Sequence, residues 1–176
     1  TLLKMKNLLK VKKTKLEGVL KIITPQTFFK DKRGYFIETY NKKFYEEVLP
    51  KVKFIQDDVS ISKKNVLRGF HGDHKTWKLV SCIFGKIFFV VLNCNLKSKS
   101  FGKWENFTLS HKDYTQILIP PSFGNAYYVL SDNAVFQYKQ SSYYGGMEKQ
   151  FTYKWDDQRF KIKWPCKYPI LSKRDR

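Results

Sequence analysis

Residues 85–93, GKIFFVVLN, form an unbroken β-branched and aromatic run that opens at a glycine, and runs of this kind recur along the chain. EGVLKII (17–23), YFIETY (35–40), VKFIQDDVSIS (52–62), WKLVSCIF (77–84), TQILIPPS (115–122) and AVFQYKQ (134–140) all read as strands. Their β-branched and aromatic content suits a pleated surface, and Gly, Asn, Asp and Pro turn signals separate them at intervals of roughly ten residues. Many short strands so spaced favour an all-β sandwich or small barrel. Helix is limited: NKKFYEEVLP (41–50) predicts one short helix, capped by Asn41 and ended by Pro50. No internal repeat or low-complexity tract interrupts the pattern.

A chain of 176 residues can bury a single sizeable core. Residues 16–176 read as one domain, and 1–15 as an N-terminal lead-in, in part an expression remnant. Lysines interrupt the first twenty residues throughout, so they match neither a secretory signal nor a membrane span. The net charge of +19 raises the question of nucleic acid. Only five of the 34 basic residues are arginines, however, and the lysines are dispersed, with no zinc-finger, helix-turn-helix or RNP-like stretch beside them. A solvated lysine-rich surface is expected, with no nucleic-acid or membrane partner; an anionic small substrate is compatible with it. Cys82, Cys94 and Cys166 form no CxxC pair and no complete disulfide set, which fits a reducing cytoplasm.

Two arginines precede glycines, Arg33 in DKRGYF and Arg68 in LRGFHG. Either could hold a phosphate or carboxylate in its planar fork, or sit in water at a turn. RGFHGDHKTWK (68–78) is the densest group of chemical side chains, with two of the three histidines. Against the first metal motif of cupins, His71 aligns with the first histidine, but Asp73 takes the place of the second and Lys78 that of the glutamate. The second motif's histidine is replaced by Asn125 in PPSFGNAYY. An ammonium has no lone pair and repels a divalent cation, so neither a metal nor another cofactor is expected. His71 and Lys78 then admit two readings. An imidazole of ordinary pKa, about 6.5, could take a proton from carbon beside a carbonyl while the ammonium steadies the enolate oxygen. Alternatively, the histidine is bonded within a turn and the lysine snorkels outward.

Motifs in order over residues 16–175 resemble the nucleotide-sugar 3,5-epimerases of the dTDP-4-dehydrorhamnose 3,5-epimerase type. They are KLEGVLKI, DKRGYFIE, FIQDDVSIS, NVLRGFHG, KLVSCIFGKIFFVVLN, FGKWENFTLS, ILIPPSFGNAYYVLSD, AVFQYK, WDD with WP, and the terminal LSKRD. Each is weak alone; their ordered succession is specific. The resemblance implies a cupin-like double-stranded β-helix (jelly roll) with a few short helices, working without metal as a homodimer with exchanged N-terminal strands. It implies an isomerase acting on a 4-keto sugar nucleotide. His71 matches the general base, Asp175 the carboxylate that orients it, Lys78 the lysine beside the enolate oxygen, and Tyr138 the acid of the opposite face. Arg33, Glu38, Gln56 and Arg68 match positions that hold the nucleotide diphosphate or line its pocket, and Tyr144 and Arg174 match further pocket positions. Read from their chemistry alone, Tyr138 could be an inward barrel aromatic, Glu38 an exposed strand residue and Gln56 a satisfied core amide.

The chain departs from the family pattern where GFHGDHKTWK and SFGNAYY replace the usual GLHYQ and GFAHGF. Asn125 can still hydrogen-bond a sugar oxygen but cannot change charge. These departures resemble a subgroup acting on GDP-4-keto-6-deoxy-heptose in capsule or surface-polysaccharide synthesis, inverting C3 or both C3 and C5, with GDHKT as the segment expected to encode the substrate. The alternatives are the dTDP-4-dehydrorhamnose 3,5-epimerase itself and a sugar-nucleotide-binding module without turnover. Tyr127 is left without an assigned role, and His74 reads as a polar loop residue.

Overall fold

The computed structural model describes residues 9–23, 28–49 and 51–176, with backbone alone at 28–30. Two antiparallel sheets carry the fold. Strands β1 (Lys10–Lys13), β2 (Leu20–Ile23), β5 (Gln56–Lys63), β7 (Lys78–Phe84), β10 (Thr115–Ile119) and β12 (Asn133–Gln140) form a six-stranded sheet in the order β1-β2-β10-β7-β12-β5. Strands β6 (Leu67–Gly72), β8 (Lys86–Asn93), β9 (Trp104–Ser110), β11 (Phe123–Val129) and β13 (Phe151–Thr152) form a five-stranded sheet in the order β13-β6-β11-β8-β9. A separate hairpin, β3 (Phe28–Asp31) with β4 (Gly34–Ile37), precedes the helix α1 (Lys42–Val48). This is the expected all-β jelly roll. Strand β1 lies within the stretch read as a lead-in and pairs with β2.

The long apolar run of β8 does not alternate with polar residues because both its faces are covered. Ile87, Phe89 and Val91 enter the core between the sheets with Val80, Ile117, Tyr127 and Phe136. Val90 and Leu92 point the other way, under Phe70, Cys94 and Phe160 and the aromatic C-terminal segment. Each such fully buried side chain is worth about 1.5–3 kcal/mol relative to exposure. A third cluster seats α1 through Tyr45 and Leu49 on Ile22, Leu79 and Leu118. Asn41 caps that helix, its side-chain oxygen accepting from the Lys43 amide; Pro50, expected to end it, lies outside the described residues. The remaining expected strands are found with shifted ends, β12 beginning one residue earlier than AVFQYKQ and β5 running on to Lys63. YFIETY is strand only as far as Ile37, since Thr39 leaves the hairpin to accept hydrogen bonds from Tyr45 and Gln116.

Candidate active site between the sheets

A turn was one of the readings open for Arg68 and for His71; both lie on a strand, β6. Three residues apart, they would face opposite sides of a regular strand. A bulge reverses this parity. Across β11, His71 stands opposite Asn125 and Arg68 opposite Tyr127, so three steps on β6 match two on β11. Gly69 makes the close passage possible: its φ is +112°, and a Cβ there would sit 2.4 Å from the Asn125 carbonyl oxygen and 2.7 Å from Ala126 Cα. Arg68 and His71 thereby open into the same cavity of about 230 Å³, which Lys78, Asn125, Tyr138, Tyr144 and Arg174 also line.

The C-terminal tail reaches β6 through a parallel bridge between Val66 and Ile170, where the Leu67 amide donates to the Ile170 carbonyl at 3.0 Å. A turn from Ser172 then places Asp175, only 4% exposed, behind the imidazole. His71 Nε2 is 2.8 Å from Asp175 Oδ1. At that separation the Nε2–H can donate to the carboxylate, while Oδ2 accepts from Ser172 Oγ at 2.8 Å. Burial opposes ionisation of Asp175, yet contacts with His71 and Ser172 outweigh it and hold the carboxyl below its ordinary range. With Nε2 turned to the carboxylate, Nδ1 is the nitrogen left to take a proton; it lies 3.4 Å from Thr152 Oγ1.

Lys78 opens β7 and is 7% exposed, so it does not snorkel. Its Nζ donates to Asn125 Oδ1 at 3.1 Å and approaches the His71 carbonyl oxygen at 3.4 Å. Burial pushes its pKa down to about 8, with Arg174 adding to the fall and Asp73 opposing it. Tyr138 comes from the same six-stranded sheet as Lys78, on the neighbouring strand β12 and across the cavity from His71, where Phe136, Tyr138 and Gln140 share the cavity face by strand alternation. Burial is the main cause that raises its phenol to about 12, the Asp58 carboxylate adding to the rise and Arg68 opposing it. It is therefore a neutral O–H donor at physiological pH.

The mouth of the cavity is cationic. Arg68 Nε donates to Ser62 Oγ at 3.0 Å, which leaves its terminal nitrogens for a ligand. Ser62 and Ser60 in turn contact the Tyr127 hydroxyl at 3.1 and 2.7 Å. Arg174 donates to Gln150 Oε1 and Thr152 Oγ1, both at 3.0 Å. Gln56 is a satisfied amide that acts through a neighbour. Its oxygen accepts from the Tyr144 backbone N–H at 2.9 Å and its nitrogen donates to Asp58 at 2.8 Å.

Three of the expected contributors lie away from this cavity in the single chain. Arg33 and Glu38 do not reach this cavity within the chain: Arg33 sits at the β3–β4 turn, ion-paired with Asp31 at 2.6 Å and 85% exposed, and Glu38 follows the same hairpin. Arg33 points into solvent at the hairpin turn, whereas Glu38 Oε1 is buried with no hydrogen-bond partner among the described residues. GDHKT does not line the cavity either; Asp73 Oδ1 accepts from the amides of Lys75 and Thr76, and the segment is a side-chain-closed turn. His74 packs on Phe151 and bonds Ser122 outside the site. Ser60, Phe136, Gln140 and Gln150 line the cavity without having been singled out; period-two alternation in VSIS and AVFQYKQ was the available signal for the first three.

The sequence profile of the dTDP-4-dehydrorhamnose 3,5-epimerase family matches residues 13–176. The chain is 42% identical over 168 residues to the dTDP-4-dehydrorhamnose 3,5-epimerase of Escherichia coli K12, covering 93% of this chain and 89% of the relative. It is 40% identical over 167 residues to that of Shigella flexneri, covering 93% and 91%. Its fold is similar to the crystal structure of dTDP-6-deoxy-D-glucose-3,5-epimerase from Legionella pneumophila in complex with dTDP-4-keto-L-rhamnose, with a TM-score of 0.87, 35% identity, and 95% of this chain and 89% of that chain covered. Within the same cavity lie a histidine backed by a buried carboxylate, a buried ammonium and a protonated tyrosine on the facing sheet. The chain belongs to the dTDP-4-dehydrorhamnose 3,5-epimerase family and is a carbohydrate epimerase of nucleotide-linked sugars.

Proposed function

We propose that the protein inverts C3, or C3 and C5, of a dTDP-linked 4-keto-6-deoxyhexose. The observation that carries this reading is the placement of His71 on one sheet and Tyr138 on the other, with the cavity between them. Inversion needs a base on one side of the ring carbon and an acid on the other, since a single group returns the proton to the face it left. His71 Nδ1 removes the proton next to the 4-keto group, and Asp175 steadies the imidazolium that forms. Lys78 donates to the developing enolate oxygen, where a charged hydrogen bond from a buried ammonium counts most. Tyr138 delivers a proton to the opposite face; Arg68 beside it offsets part of the cost of the phenolate. Arg68 and Arg174 offer forked donors to the diphosphate.

The dTDP reading is supported by the relatives, which are named for dTDP sugars. A GDP-4-keto-6-deoxy-heptose remains the second reading. It rests only on the departure of the sequence from the family pattern at Asn125, a neutral side chain at the cavity wall where that pattern has a histidine. NMR of the product formed in heavy water from each of the two sugar nucleotides tests both. Inversion with deuterium at C3 of the dTDP-hexose supports the first reading; turnover of the GDP-heptose alone replaces it with the second, and ligand binding without exchange on either substrate would leave a binding module.

A homodimer is proposed as well. Val59, Ile61 and Phe84 are 55%, 71% and 56% exposed on the six-stranded sheet, and exchange of the N-terminal hairpin would carry Arg33 and Glu38 to the partner's cavity. Sedimentation analysis tests the oligomeric state. The three cysteines are unpaired thiols, which suits a reducing cytoplasm. Among the described residues, no helix is long and apolar enough to cross a membrane.

A further inference from the structure

Lys78 is a buried cation with few partners. Its Nζ has three N–H donors. One goes to Asn125 Oδ1 at 3.1 Å and one is directed at the His71 carbonyl oxygen at the longer distance of 3.4 Å. No other protein acceptor is recorded for it among the described residues. The charged and titratable groups facing it are Asp73 from the β6–β7 turn, Arg174 from the C-terminal tail and Cys94 from the end of β8, with Gln140 opposite it in the β7–β12 register. Burial drives the Cys94 thiol up to about 12, so it stays neutral and offers Lys78 no anion. Among the described residues, Asn125 is therefore the one side chain that hydrogen-bonds the ammonium.

The orientation of that amide follows from its partner, because a lysine can only donate and so must face Oδ1. Asn125 is itself held in place by backbone pairing: it stands opposite His71 on β6 and Val91 on β8, one step from the bulge that turns Arg68 and His71 together. A single side chain thus ties the enolate-stabilising lysine to the strand that carries the base. A histidine here would be a partner of variable charge, and when protonated it would repel Lys78; asparagine supplies a neutral acceptor at every pH.

We propose that Asn125 is a positioning residue for Lys78, its amide oxygen fixing the ammonium beside the reacting carbonyl and helping to keep it charged. The assignment rests on the enolate role given to Lys78 in the proposed function. The group that Asn125 faces has already lost much of its margin, with a pKa near 8, so removal of one acceptor has a measurable consequence.

The test is an NMR titration of the Lys78 ¹³Cε resonance, assigned by its disappearance in Lys78→Arg, in the wild-type protein and in Asn125→Ser, Asn125→Leu and Asn125→Asp. Loss of the acceptor lowers the midpoint by about one pH unit, a tenfold smaller charged fraction above it, and a carboxylate at 125 raises it by about as much. The alkaline limb of kcat moves in the same directions. Serine is included because leucine can impair folding in a polar cavity wall. Unchanged midpoints in Ser and Asp variants, with only KM altered, would overturn the assignment in favour of a direct sugar contact. The titration needs no turnover, so absence of epimerase activity in the wild-type protein defeats the proposed function and leaves this result readable.

Discussion

His71 Nε2 and Asp175 Oδ1 lie 2.8 Å apart although the carboxylate arrives from the last residues of the chain. The pair is a weak contact while the imidazole is neutral and an attractive one once it carries a proton, which is the state created when carbon gives up hydrogen. Asp175→Asn keeps the shape and removes the charge. It is expected to lower kcat by about 10²–10⁴-fold with a much smaller change in KM, measured by steady-state assay. The same pair gives an acid-side stability signature. A carboxyl held below its ordinary value stabilises the fold above about pH 4 and loses that contribution as pH falls through the lowered value. The gap in urea midpoint between wild type and Asp175→Asn should therefore narrow toward pH 3.

Tyr138→Phe separates the two half-reactions. His71 can still form the enolate and return the proton to the original face, so deuterium wash-in persists while inversion falls by about 10²-fold or more. Substrate recovered with deuterium but unchanged configuration is the diagnostic product. Equal loss of exchange and inversion would move Tyr138 out of the acid role.

Lys78 sets the alkaline limit. Its ammonium, with a pKa of about 8, is charged below that value and neutral above it, so kcat should fall as pH rises through about 8. Tyr138, near 12, stays protonated throughout this range and is not the cause of the limb. Stability runs the other way. Between about 8 and the ordinary lysine value near 10.4, the unfolded chain binds the proton that the folded chain has lost, so this group makes stability rise with pH. Lys78→Met should abolish the activity limb and, at pH 7, raise stability by of the order of 2 kcal/mol, since a buried charge is replaced by an apolar side chain.

Gly69→Ala tests the bulge. The added methyl meets main chain at 2.4 Å and the backbone is held at positive φ, so β6 must shift against β11. A loss of about 2–4 kcal/mol in denaturant unfolding is expected, with epimerase activity falling further than stability because Arg68 and His71 lose their common face.

Much of this architecture can be read from periodicity. The β8 run, the alternation of AVFQYKQ and the Asn41 cap are local signals, and each is found where the residues place it. The identities His71, Lys78, Asn125 and Tyr138 are likewise present as a motif, and the structure gathers them around one cavity. What is not local is also not legible. The bulge depends on pairing between β6 and β11, so the stretch that looked like a loop is a strand, and the convergence of Arg68 with His71 cannot be inferred from their spacing. GDHKT looked like a specificity segment because it departs from the family pattern, yet its Asp73 closes a turn and its His74 bonds Ser122 away from the cavity. Arg33 on the hairpin turn and Glu38 just after it carry suitable chemistry but do not line the cavity of their own chain, which no local signal discloses.

The central claim is that His71 takes a proton from carbon beside a ketone. ¹H and ²H NMR of dTDP-4-keto-6-deoxyglucose incubated in heavy water with wild type and with His71→Asn tests it most directly. Deuterium at C3, with inversion, is expected for the wild-type enzyme and none above background for the variant. Undiminished exchange by His71→Asn, or none by the wild-type protein on either the dTDP-hexose or the GDP-heptose, would contradict it.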